Sequence, residues 1–167
     1  MATPLNRIYE EFWGKIEKEN NIINLREDKR EEELFKIFKS ARGKFYNINK
    51  DLYAITETST IINPGPDEYE FIARELDDDL TEEEIEIVSY LMIVVFYERK
   101  LANDELYSVL ELTTSDFKQL SKANQLSQIR KTVKEYEEKA KNRVEMYDRI
   151  KNDAGSVTTF IDEMGDN

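Results

Sequence analysis

Residues 121–153 read SKANQLSQIRKTVKEYEEKAKNRVEMYDRIKND, a stretch with neither Gly nor Pro. Within it Leu126, Ile129, Val133, Tyr136, Ala140, Val144, Tyr147 and Ile150 recur at steps of three and four, which places all of them on one face of a helix. Ser121 is the expected N-cap, and Ala154-Gly155-Ser156 the expected end. At 1.5 Å per residue such a helix is roughly 45–50 Å long, more than the core of one domain of this size needs. A helix of that reach meets a partner.

Working outward, the same periodicity recurs toward the N-terminus. Asn103 or Asp104 caps a short helix through Leu110, and Thr113-Thr114-Ser115-Asp116 links it to the long one. Thr81 and Glu84 form a T-x-x-E capping box, with Glu82 and Glu83 adding negative charge where the helix dipole is positive. The helix they open carries Ile85, Val88, Leu91, Met92, Val95 and Phe96, and Ile93 with Val94 makes it apolar nearly all round, so it belongs at the centre. Thr3 and Pro4 read as N-cap and first residue of a helix with Leu5, Ile8, Phe12 and Ile16 on one face, ending near Lys18 before Asn20 and Asn21. A second helix fits Asp28 to about Phe45, with Leu34, Ile37, Phe38, Ala41 and Phe45 as its apolar side and Gly43 near its end.

Between Tyr46 and Leu80 the helical period disappears. Thr- and Ile-rich Ala54–Ile62, the turn residues Asn63-Pro64-Gly65-Pro66-Asp67 and the alternating Glu68–Ala73 read as a β-hairpin, with a looser loop as the alternative. Tyr69 and Phe71 share one side of it, and its exposed tip and acidic second strand suggest an excursion from a helical body. The fold class is therefore mainly α: a small helical bundle with a long C-terminal helix, an inserted β-hairpin and an extended C-terminal tail. Residues 1–153 form one domain, with 46–80 as the insertion and 154–167 as the tail. That tail offers Val157, Phe160, Ile161 and Met164 among acids, more apolar bulk than a free tail carries. It docks on a neighbouring chain, packs on its own domain, or stays disordered.

Composition narrows function. With no His and no Cys among 167 residues, the chain cannot supply a Ser-His-Asp or Cys-His site, a Cys/His zinc site, a His or Cys ligand to haem, or a Cys-ligated iron–sulfur cluster. No disulfide forms, which suits a reducing compartment. The net charge of −12 argues against specific nucleic-acid binding, which draws on Lys and Arg against phosphate. No signal peptide is evident, and the longest apolar run, Tyr90–Tyr97, falls well short of the roughly 20 residues that span a bilayer.

Asp77-Asp78-Asp79 followed by Glu82-Glu83-Glu84 invites comparison with a calcium loop, but Glu82 stands where an EF-hand needs Gly and Val88 where it needs Glu. The glycines are too scattered for a phosphate-binding turn. With 36 acidic residues, close carboxylate pairs are inevitable and none is singled out for acid–base work. No cofactor or metal is expected, and no enzyme activity. Along the last helix Arg130, Lys134 and Lys141 alternate with Glu138 and Glu145, a pattern that suits a salt-bridged solvent face or pairing with the next copy of the chain.

The acidic, capped helix start Asp77–Ile85, the central apolar helix, and then Asp116-Phe117, Ser121, Ala123-Asn124 and Leu126 opening a long charged helix resemble the head-tail connector (adaptor, head-completion) proteins of tailed bacteriophages. The likeness covers about residues 34–150 and contains no invariant chemical motif. It implies a homo-oligomeric ring, commonly twelvefold, that sits under the portal protein in the virion neck, extends the DNA channel and receives a downstream neck or tail-completion protein, with assembly in the host cytoplasm. It also implies portal docking by Val157, Phe160, Ile161 and Met164, while the charge pattern, not the resemblance, suggests contacts between subunits through Arg130, Lys134, Glu138, Lys141 and Glu145. The stretch Asp67–Glu84 holds ten acids against Arg74 alone. Glu68, Glu70, Asp77, Asp78, Asp79, Glu82 and Glu83 are the expected lining of a channel that lets DNA pass without adhering. Two other classes stay open: an acidic inhibitor or DNA mimic of a host protein, and a tail-assembly chaperone.

Overall fold

The computed structural model describes the backbone of residues 2–16, 25–45, 48, 50–62, 68–110 and 116–164, and their side chains except at 104–110, 116–123 and 152–164. The order is β1 (Thr3–Pro4), α1 (Leu5–Ile16), α2 (Glu27–Arg42), β2 (Ile55–Ile62), β3 (Tyr69–Leu76), α3 (Glu82–Leu110) and α4 (Asp116–Met164). As the apolar periodicity requires, the chain is mainly helical, with one small antiparallel sheet and a long C-terminal helix.

α3 is the centre of the body. It packs against α1, α2 and α4, and its Ile87, Val88, Met92 and Ile93 are fully buried. Leu5, Ile8, Tyr9 and Phe12 of α1 and Leu34, Ile37, Phe38 and Ala41 of α2 close one side of it. The other side is met by Ala140 and Val144 of α4, with Tyr136 and Tyr147 half-buried at the margin. Aromatic edges knit the layers: Phe12 meets Phe96 edge-on at 6.0 Å, and Tyr97 stacks on Tyr136 at 6.0 Å.

The capping box is formed as read. Glu84 Oε2 accepts from the Thr81 backbone N–H at 2.8 Å, and Thr81 Oγ1 accepts from the Glu84 N–H at 3.3 Å.

Four expectations are corrected. Thr3 and Pro4 do not open α1; they form an edge strand against β3, with Thr3 opposite Leu76, and the sheet order is β1-β3-β2. Pro lacks an N–H and so fits an edge position, while the Thr3 hydroxyl accepts from the buried Leu80 N–H at 2.7 Å. The hairpin is present, Ile55 opposite Leu76 through Ile62 opposite Tyr69, but it is no excursion, since β3 lies on α1 and α2. Asn103 and Asp104 start no new helix, because neither breaks an established one; α3 runs through them to Leu110. α4 starts at Asp116 rather than Ser121, and its backbone stays helical past Ala154-Gly155-Ser156 to Met164, so an extended tail does not begin at 154. One Gly costs a helix only about 1 kcal/mol, and no Pro follows to stop it. The expected breaks at Asn20-Asn21, the turn Asn63–Asp67 and the link Thr113–Ser115 lie outside the described residues.

Candidate assembly surface

The acidic stretch holds the largest group of candidate residues, seven, and the fold divides them. Asp77 Oδ1 accepts from the Thr56 hydroxyl at 2.8 Å and Asp78 Oδ2 from the Asp51 N–H at 2.7 Å, so these two hold the hairpin base. Glu82 pairs with Arg7 of α1, and Glu70 accepts from Ser59 across the strands. Glu68 and Asp79 are exposed and Glu83 is half-buried in the first turn of α3. Asp67 lies outside the described residues. The candidates therefore fall on the hairpin and the start of α3, with most of them already engaged by their own chain. Among the described residues no group of three or more acidic side chains converges as a metal would require.

Arg74, the lone base of that stretch, has a role that periodicity could not show. Its guanidinium lies over the Phe35 ring at 4.0 Å and donates to Glu57 at 2.7 Å and to Glu31 at 3.0 Å. The Arg74 and Glu31 side chains are only 7% and 11% exposed. Burial pushes the Glu31 carboxyl up to about 7 although Arg74 pulls it back. Burial, and then Glu31, raise the Tyr9 hydroxyl well above its ordinary range. This cluster clamps β3 onto α1 and α2. The sequence signal that would have found it is one Arg placed at strand spacing among acids, facing a helix that also carries Glu31 and Phe35. A cleft of about 270 Å³ opens beside it, lined in part by Trp13, Glu27, Glu31 and Phe71. Tyr69 and Phe71 do share that side: Tyr69 covers Arg26 at 4.6 Å and its hydroxyl donates to Glu27 at 3.4 Å.

α4 carries the remaining candidates. Its inner face is fixed to α3 by the Tyr147 hydroxyl, which donates to Glu84 Oε1 at 2.7 Å, and by Arg143, which donates to Glu86 at 3.2 Å. Burial, and then that hydrogen bond, raise the Tyr147 hydroxyl. On the outer face Arg130, Lys134 and Glu138 are exposed, while Lys141 lies 3.8 Å from Glu145 one turn on. Ile150, expected in the buried stripe, is 54% exposed, and Met146 beside it is 50% exposed. Ile150 falls at the edge of the arc that faces α3, where the inner layer has already ended. The side chains of Val157, Phe160, Ile161 and Met164 lie outside the described residues.

Two grooves flank the α3–α4 seam. One, about 330 Å³, has Leu91, Val94, Ala140 and Val144 as its floor and mixed charges, including Lys44, Lys141 and Glu145, on its rim. The other, about 540 Å³, has Leu101 and Val133 within it and Arg130, Lys131, Lys134 and Glu137 around it. Sequence reading named Arg130 and Lys134 but missed that α3 supplies Leu101 beside them, since only the fold shows which residues of the two helices meet.

Among the described residues no helix is long and apolar enough to cross a membrane. Comparison of the chain with protein-family models, with curated proteins and with solved structures finds no match.

Proposed function

We propose that this chain is a structural subunit of a tailed-phage neck, a non-catalytic helical connector whose copies assemble as a ring beneath the portal protein and lengthen the channel for DNA. The observation that carries the reading is α4. It has 49 residues against the 29 of α3, about 73 Å against about 43 Å, so it extends well past the helix it packs on. A subunit that builds outward in this way suits assembly better than turnover. Glu68 at the turn end of the hairpin, and Asp79 and Glu82 between its base and the first turn of α3, are exposed and are the proposed channel lining, where negative charge repels DNA phosphates.

The resemblance of Asp77–Ile85 and Asp116–Leu126 to head-tail connectors supplies the phage assignment. An affinity pull-down through an N-terminal tag from infected cells, read by mass spectrometry, tests it. Recovery of a portal or tail-completion protein is the expected result. Recovery of a host nucleic-acid enzyme with no virion protein would replace the connector by an inhibitor, and presence only before particle completion would favour a tail-assembly chaperone.

A further inference from the structure

Antiparallel packing fixes where α3 stops covering α4. Tyr147 bonds to Glu84 in the first turn of α3, so the helical residues after Ile150 continue beyond the start of α3 by about 21 Å. Met146, Ile150, Ala154, Val157, Ile161 and Met164 follow one another at steps of four, four, three, four and three. At about 100° per residue they share an arc of about 80°, with Phe160 at its border. That arc is turned about 90° from the one that carries Val133, Ala140 and Val144 to α3. Its two described large members, Met146 and Ile150, are half exposed or more.

The charge of this end is one-sided. After Lys151 the sequence holds Asp153, Asp162, Glu163 and Asp166 and no Lys or Arg. The 540 Å³ groove at the other end of α4 has a largely complementary character, apolar at Leu101 and Val133 and lined by three bases, Arg130, Lys131 and Lys134, against one acid, Glu137. A helix cannot deliver its own end there, because Val133 and Phe160 are 27 positions apart on α4, about 40 Å along one rod.

From these observations we infer that the C-terminal end of α4 docks into the Leu101–Val133 groove of a second copy of this chain. Val157, Phe160, Ile161 and Met164 have the i, i+3, i+4, i+7 spacing of a helix laid in a groove, and Asp162 and Glu163 meet the basic rim. The contact is heterologous, tail of one copy to groove of the next, the type that closes into rings when the rotation permits and otherwise runs on as a filament. This rests on the self-assembly part of the proposed function and names its contact; it assigns to a second copy the residues that the family resemblance gives to the portal.

Because the chain has no Cys, single cysteines report the contact cleanly. Full-length Ser127→Cys, enlarged by an N-terminal tag, and full-length Gly165→Cys are mixed at high concentration and treated with a short bis-maleimide. The expected product is the mixed dimer, at least tenfold over either same-variant dimer. It should fall at least tenfold when the groove partner also carries Lys131→Glu and Lys134→Glu, exposed changes that leave the core intact, and recover when the tail partner carries Asp162→Lys and Glu163→Lys. Dominant Gly165→Cys homodimers would mean tails packing on tails and would overturn the inference. So would cross-linking no greater than that of an exposed Thr58→Cys control, or loss of product with no recovery on charge reversal. Failure here leaves the pull-down from infected cells unaffected, and failure there leaves this cross-link unaffected, so the two readings fall separately.

Discussion

Two faces of α4 carry similar apolar side chains and meet different surroundings. On the inner face Val133, Ala140 and Val144 are buried, and Tyr147 is anchored to Glu84. A quarter turn away Met146 and Ile150 keep half or more of their surface. The cause lies in α3, whose two sides are already taken by α1 with α2 and by the inner face of α4. Nothing in the described body is left to cover the outer stripe. The lesson is that the body completes its core within one chain, held by the Arg74 cluster and the capping box, while the outer face of α4 is shaped for another chain.

Changes to the body should therefore cost stability, and changes to the outer face should not. The largest effect is expected at Arg74. Arg74→Ala strips Glu31 of its buried partner and should lower the unfolding free energy by about 3–5 kcal/mol in urea titrations. A loss below about 1 kcal/mol would mean that the clamp between β3 and α2 holds nothing.

Next comes the pH response of Glu31. With its folded pKa raised from 4.5 to about 7, the folded state binds more protons than the unfolded state between those values. Stability should then fall, by about 1–3 kcal/mol from this group, as pH rises from 4.5 to 7. Thermal melts across that range check it, and Glu31→Gln should flatten the slope. An unchanged slope in the variant would assign the dependence elsewhere.

On the inner face, Tyr147→Phe removes the hydroxyl donor to Glu84 and should cost about 1–2 kcal/mol by denaturant titration. Smallest is Ile150→Ser on the outer face, expected to change monomer stability by less than about 0.5 kcal/mol. A cost of several kcal/mol there would erase the contrast between the faces.

Much of this was legible beforehand, for reasons tied to particular residues. Thr81 and Glu84 declare a helix start because their side chains satisfy each other's backbone groups, and α3 is central because it is apolar on every side. Thr3-Pro4 misleads because the same pair suits both a helix start and an edge strand, and only the position of β3 decides. Arg74 escapes a periodicity search because its meaning depends on Glu31 and Phe35, far away in sequence. The outer stripe was masked by Ile150, which suits both arcs of α4. Which arc it serves depends on where α3 begins, a tertiary fact.

The most direct test of the division between faces is sedimentation velocity of the full chain over a concentration series, run beside Ile161→Asp and paired with thermal melts. The account predicts a species that grows with concentration in the wild type and remains monomeric in the variant, with the melting temperature of the dilute chain unchanged. A wild type that stays monomeric throughout, or a variant that loses several kcal/mol of monomer stability, would contradict it, the latter by placing the outer stripe in the chain's own core.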